Sequence, residues 1–301
     1  MEEAFLEFND PRTVNSFICA LKDEDHWIRE TAAKSLGQLK DSRAVEPLFQ
    51  TLKDDDEGVR WAAATALGHL KDPRAVAPLI QALKDKDWYV RRAVIQALVN
   101  IGSPAVEPLL HSLKNPNKIV RRLTAEILAK ITDSRAVAPL ILNLKDEDRN
   151  VRQAAVEALG ALKNSQAIDP LLIALKDESK HVRRAVVRAL GKLGDPRVVG
   201  SLLQVLKDND QPVRLIAMQA LDKLAATNKQ VVIVQLVDYL TQEGALISDE
   251  GLTDVLNWLI KFSPLTEDFT SLQPLLLTLL LTSSEKTKLK QLVRQILQQI
   301  T

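Results

Sequence analysis

Apolar residues recur along this chain with the three-and-four spacing of an amphipathic helix, not the alternation of a half-buried strand. In one stretch Val90, Val94, Ala97, Leu98 and Ile101 fall on a single helical face. A shorter apolar run precedes it, from Ala75 to Leu83, which the pattern predicts as a first helix. Asp72 is expected to cap that helix. Pro73 then occupies its first position, where a missing N–H costs nothing. Pro78 falls near the start, where most of the donors a proline removes are still orphans. Asp87 is the expected N-cap of the second helix, and Gly-x-Leu triplets such as Gly68-His69-Leu70 and Gly191-Lys192-Leu193 are expected to close it.

The two-helix pattern repeats. A Leu-Lys-Asp/Asn signal places Lys22, Lys53, Lys84, Lys114, Lys145, Lys176 and Lys207 in register. A Val/Ile-Arg pair follows seven residues later, at Arg29, Arg60, Arg91, Arg121, Arg152, Arg183 and Arg214. The period is 31 residues, broken by one single-residue deletion between the third and fourth copies. One such hairpin cannot bury its apolar face alone, whereas stacked neighbours can, and this predicts a solenoid. The expected fold is all-α: a right-handed α-α superhelix of about seven 31-residue helical hairpins with a divergent helical C-terminal cap. The expected organisation is an N-terminal cap over residues 1–9, seven repeats over 10–225 and the C-terminal cap over 226–301. Within that cap, helices are expected near 229–241, 249–261, 267–282 and 285–300.

DPRAVAPLIQALKDKDWYVRRAVIQAL, residues 72–98, and its neighbouring copies resemble the short HEAT-like repeat of the phycobilisome-lyase, or E-Z, type. The resemblance covers about residues 10–225 and is specific at the level of the repeat. It implies an architecture and a habit of binding other proteins; it does not imply one reaction, because fold and function separate easily. Members of that family include phycobilin lyase subunits, phycobilisome-degradation proteins and iron-dependent deoxyhypusine hydroxylase. The hydroxylases carry His-Glu dyads that hold iron. Here none of His26, His69, His111 and His181 is followed by Glu, which argues against that branch.

Composition narrows the chemistry further. Apolar residues at 46% and charged residues at 26% describe a folded chain. Lys plus Arg number 40 against 39 Asp plus Glu, so no global charge draws this protein to nucleic acid, and any electrostatic preference must be local. Cys19 is the single cysteine, which excludes an internal disulfide and any multi-cysteine metal site and fits a reducing cytoplasm. It falls on the first helix, where a small buried hydrophobe is expected. The opening MEEAFLEFND lacks the pattern of a signal peptide. The most apolar run, Leu272 to Leu281, is far shorter than the ~20 residues of a membrane span, so no membrane insertion is expected. No phosphate-cradling loop and no Gly-x-Ser-x-Gly elbow occurs, and no cofactor is expected. The acidic inter-helix clusters, Asp54-Asp55-Asp56-Glu57 among them, read as helix caps. An arginine demanded by every unit reads as part of the unit: a ladder in which each guanidinium bonds turn aspartates or carbonyls of adjacent units.

Function in a repeat array lies where the copies differ. On the second helices, the positions expected to face a concave groove hold Trp27 in the first copy, Trp61 in the second, and Trp88, Tyr89 and Arg92 in the third. Later copies place Arg122, Arg149, Lys180, Arg184 and Arg188 on the equivalent strip. Tryptophan, tyrosine and arginine are the residues most enriched in interface hot spots. These ten residues are therefore the expected partner-binding set of a non-enzymatic scaffold or chaperone-like adaptor. The expected partner is a protein with an acidic patch, and the family resemblance points to a phycobiliprotein. The alternative is a phycobilin lyase subunit that cradles a tetrapyrrole, its basic groove on the propionates and its aromatics on the pyrroles. Packing alone is the bland alternative, with the indoles lying over inter-helix turns.

Overall fold

The structure, a computed structural model, describes residues 11–243. The expected N-terminal cap, and the expected cap helices near 249–261, 267–282 and 285–300, lie outside the described residues. Within them the fold is all-α, a HEAT-like solenoid of short and long helices in alternation. The chain divides into two compact units, Met1–Ala158 and Leu159–Thr301.

In the first unit the helices are α1 (Pro11–Ala20), α2 (His26–Leu39), α3 (Val45–Thr51), α4 (Glu57–Leu70) and α5 (Val76–Ala82). They continue with α6 (Trp88–Ile101), α7 (Val106–Ser112), α8 (Lys118–Ile131), α9 (Val137–Asn143) and α10 (Arg149–Leu162), the division between the units falling inside α10. The first helix of each hairpin is shorter than the apolar run predicts. It begins as a 3₁₀ turn, Pro73–Ala75 in the third copy, and becomes α-helical only from Val76. Pro78 has no N–H to return to Arg74, yet the same turn forms at Pro196–Val198, where Ser201 stands at the equivalent position, so the turn does not depend on that proline. The early bonds are of the tighter kind, Ala75 N–H donating to the Asp72 carbonyl and Val76 N–H to that of Pro73. Asp72 caps the turn through Arg74 N–H. The second helices are capped as expected: Asp87 accepts from Tyr89 N–H at 2.8 Å, and Asp25 from Trp27 N–H at 2.8 Å.

The Gly-x-Leu triplets do not close the second helices. Closure falls on the next residue, Lys40, Lys71 or Thr132, which takes a left-handed conformation and donates its N–H to a leucine carbonyl four residues back. The glycines instead lie inside the helix against the next hairpin. A Cβ on Gly37 would stand 2.7 Å from Cα of Ala66, and one on Gly68 would stand 2.8 Å from Cα of Ala97. Glycine facing alanine thus sets how closely successive second helices approach.

The arginine ladder is present. Arg60 donates through Nη1 to the carbonyls of Asp54 and Asp55, in the turn before its own helix. Its Nε and Nη2 reach forward to Asp85 at 2.7 and 3.1 Å. Arg29 does the same with Asp54, and Arg121 with Asp146. Each aspartate also accepts a backbone N–H two residues on, as Asp85 does from Asp87. Burial, the largest single influence, pushes the Asp54 and Asp85 carboxyls up, but the hydrogen bonds from Arg29 and Arg60, the backbone N–H groups of Asp56 and Asp87 and the nearby arginine charges together outweigh it and hold both below the ordinary carboxylate range.

The second unit contains α11 (Ile168–Ala174), α12 (Lys180–Leu193), α13 (Val199–Gln204) and α14 (Gln211–Glu243). It repeats the same devices. Arg183 bonds the carbonyls of Asp177 and Glu178 and the carboxylate of Asp208, and Gly160 and Gly191 face Ala189 and Ala220. The last helix runs past Ala225, with non-helical backbone at Asn228 before the segment expected as a helix over 229–241. Cys19 is a correction: it is exposed. On α1 it shares a stripe with Arg12, Asn15 and Ser16, all exposed, while Val14 turns to the core.

Two expectations follow. Gly68→Ala adds a Cβ against fixed backbone and should destabilise the fold by about 1–3 kcal/mol in urea unfolding, despite alanine's better helix propensity. The ladder sets the acid response. A carboxyl whose folded value is depressed contributes stability that is complete above its unfolded value, near 3.8, and is lost as pH falls through the lower folded value. Unfolding midpoints should therefore fall mainly below about pH 3.8, and Asp85→Asn should flatten that part of the profile.

Candidate partner-binding surface

The second helices of the first unit present their outward stripe for the same reason that they bury the other face. On α6, Val90, Ala93, Val94, Ala97 and Leu98 are buried, which leaves Trp88, Tyr89, Arg92 and Gln96 outside. The aromatics expected there are in water: Trp27 is 65% exposed, Trp61 36%, Trp88 50% and Tyr89 57%. None is sealed between layers. Trp61 has the Lys34 ammonium 5.4 Å from its ring centroid. The rings of Trp88 and Tyr89 lie against each other with centroids 3.6 Å apart.

Trp61, Tyr89 and Arg92 come together in one groove of about 570 Å³, which runs across α4, α6 and α8. Trp27 and Trp88 are not part of its lining. The groove has a cause in the sequence. At the third joint the register puts Val99 where Gly37 and Gly68 stand, and Ile127 where Ala66 and Ala97 stand. Accordingly α6 and α8 approach each other less closely than α2 and α4 or α4 and α6 do. The one-residue deletion falls at the same joint. There Gly102, with φ 73° and ψ −132°, makes a turn of a kind only glycine adopts readily, serving both as the end of α6 and the cap of the next 3₁₀ turn. The ladder also changes here. Arg91 keeps its bonds to the Asp85 and Lys86 carbonyls, but Asn115 replaces the aspartate.

Other lining residues escaped the sequence reading: His69, Asn100 and Lys130. Each stands ten residues after the Val that begins its repeat signal, one turn beyond the positions considered. Extending the same stripe by one turn would have found them.

The basic residues divide. Arg92 and Arg149 are exposed. Arg122 is half-buried, with Glu126 4.0 Å away, and that same glutamate bonds Lys130 at 3.0 Å. In the second unit Arg188 is exposed on α12, and Lys180 stands 3.5 Å from Asp210. Arg184 is a correction to the expected free cation. Its guanidinium clasps Asp210 through three hydrogen bonds of 2.7–2.9 Å, because Asp210 caps the following helix within its reach. Burial pushes the Asp210 carboxyl up, and the Arg184 hydrogen bonds pull it below its usual range. Among the described residues no group of His, Cys, Asp and Glu is placed to hold a metal, and no single helix is long and apolar enough to cross a membrane.

The sequence profile of HEAT repeats matches residues 3–64, 45–129, 106–178 and 137–222. No curated protein matches the chain. Among solved structures, importin beta is similar with a TM-score of 0.56 and 18% identity; the alignment covers 96% of this chain and 47% of that one, so this chain spans about half its length. Human deoxyhypusine hydroxylase aligns at 23% identity over 74% of this chain and 89% of that one, with a TM-score of 0.38. The complex of CpcE and CpcF of phycocyanin lyase from Nostoc sp. PCC7120 aligns at 25% identity over 74% and 92%, with a TM-score of 0.37.

Proposed function

The chain belongs to the HEAT-repeat family, and from that premise we propose that it is a non-enzymatic protein-binding scaffold or adaptor. The observation that carries this reading is the run of exposed aromatic side chains, Trp27, Trp61, Trp88 and Tyr89, on successive second helices of the first unit. Large rings left partly in water on regularly spaced helices cost solubility and bury only part of their surface against their own chain. Their value lies in burial against a partner, where tryptophan and tyrosine contribute most of an interface's energy.

Arg92, which lines one groove with Trp61 and Tyr89, and the exposed Arg149 suit an acidic partner surface, and the exposed Arg188 gives the second unit the same sign, whereas Lys180 already stands 3.5 Å from Asp210. Arg122 and Arg184 contribute less, each already facing a carboxylate of its own chain. The non-enzymatic part of the reading is supported by the sequence, which has no phosphate-cradling loop, no nucleophile elbow and no His-Glu dyad. The resemblance of the repeat to the phycobilisome-lyase type makes a phycobiliprotein the first purified partner to titrate.

The test is capture from a lysate of the native host on immobilised full chain, beside a Trp27→Ala/Trp88→Ala double variant. The expected result is a specific protein held by the wild type and reduced tenfold or more by the variant, as loss of hot-spot aromatics implies, with far-UV circular dichroism unchanged. A full catch retained by the variant overturns the reading.

A further inference from the structure

The groove across α4, α6 and α8 spans one close joint and one wider joint and is marked by its mixture of groups. Its aromatic walls are Trp61 and Tyr89; Thr65, Gln96 and Asn100 add hydroxyl and amide groups between them. Its charge is unbalanced. Glu126 is engaged by Lys130 at 3.0 Å and faces Arg122, whereas Arg92 is exposed and bonds no carboxylate among the described residues. A site built for a compact cofactor encloses most of its ligand in apolar lining. This groove is partly open to solvent; its Gln96 and Asn100 amides share one 2.8 Å hydrogen bond and keep the Gln96 oxygen and the Asn100 nitrogen to pair with a peptide backbone, which suits an extended chain.

We propose that the groove takes one extended segment of the partner protein, an acidic side chain of that segment bonding Arg92 and a neighbouring apolar side chain entering between Trp61 and Tyr89. The proposal rests on the protein-binding reading above and names the chemistry of what is bound. Arg92 is suited to the carboxylate because its planar fork can donate two parallel hydrogen bonds, and because it lines the same groove as both rings, three residues after Tyr89 on α6. The close joint of Gly68 and Ala97 forms part of the groove's floor, and the wider joint beyond it extends the groove to Glu126 and Lys130 of α8.

The test is selection of random ten-residue peptides, displayed on phage, on the immobilised full chain, followed by fluorescence anisotropy of the enriched peptides. The expected outcome is enrichment of Asp or Glu next to a large apolar residue. Affinity should fall on the order of tenfold or more in Arg92→Glu and in Gln96→Trp, which plugs the groove from an exposed position. Ile173→Ala, exposed on α11 and outside the groove, should bind the same peptides as the wild type. Enrichment without acidic residues overturns the proposal, as does unchanged affinity in both groove variants. So does displacement of the peptides by phycocyanobilin with a shifted visible band, since the groove would then be a chromophore site. Failure here, with host-protein capture still lost in Trp27→Ala/Trp88→Ala, removes the groove and leaves the scaffold standing.

Discussion

The bond from the repeated arginine to the next hairpin's aspartate, made by Arg29, Arg60, Arg121 and Arg183, is the interaction on which the rest of this structure depends. Arg60 shows why. Its Nη1 satisfies two turn carbonyls of its own hairpin, and its Nε and Nη2 grip Asp85, 25 residues ahead. One planar group therefore fixes the geometry within a unit and the step to the next. Both partners are nearly out of solvent. A charge so placed is costly unless its donors are matched, and here the Arg60 donors meet carbonyls behind and a carboxylate ahead. Lysine, a point charge without a fork, could not serve both sides at once.

Close packing supplies the second constraint, and its relaxation supplies the site. Gly37 and Gly68 let α2, α4 and α6 approach to backbone contact. At the next joint the glycine and alanine positions hold Val99 and Ile127, a ladder aspartate becomes Asn115, and the inter-helix turn shrinks around Gly102. These departures from the repeat coincide at one joint, and the groove that carries Trp61, Tyr89 and Arg92 on α4 and α6 extends across it to Glu126 and Lys130 of α8. Regularity builds the wall, and the lapse in regularity gives it a recess. With the arginine and aspartate of each repeat committed to the ladder, the outward positions of the second helices are free to vary without disturbing the stack.

Much of this was legible in the sequence. The period, the two-helix unit, the aspartate caps and the ladder all follow from residues that recur in register, because a solenoid asks the same physical tasks of every copy. The outward stripe was legible for a related reason: once Val90, Val94 and Leu98 are assigned to the core, Trp88, Tyr89 and Arg92 have nowhere else to go. What escaped were properties of pairs. Gly68 looks like a helix terminator until Ala97 of the next hairpin is seen against it. Arg184 looks like a free cation until Asp210, a cap in the following turn, is found within its reach. Cys19 sits among apolar neighbours in the sequence but on the polar stripe of α1, where two more residues of phase decide its side.

The central claim is that the ladder and the core leave the repeat-borne indoles in water, available for recognition. The direct measurement is acrylamide quenching of tryptophan fluorescence in the folded chain with Trp258 replaced by Phe, so that Trp27, Trp61 and Trp88 are the only emitters. The account predicts red-shifted emission and efficient quenching, strongest for Trp27 and weakest for Trp61 when each is isolated in turn. Blue-shifted emission that acrylamide barely touches would contradict it, because the rings would then belong to the core.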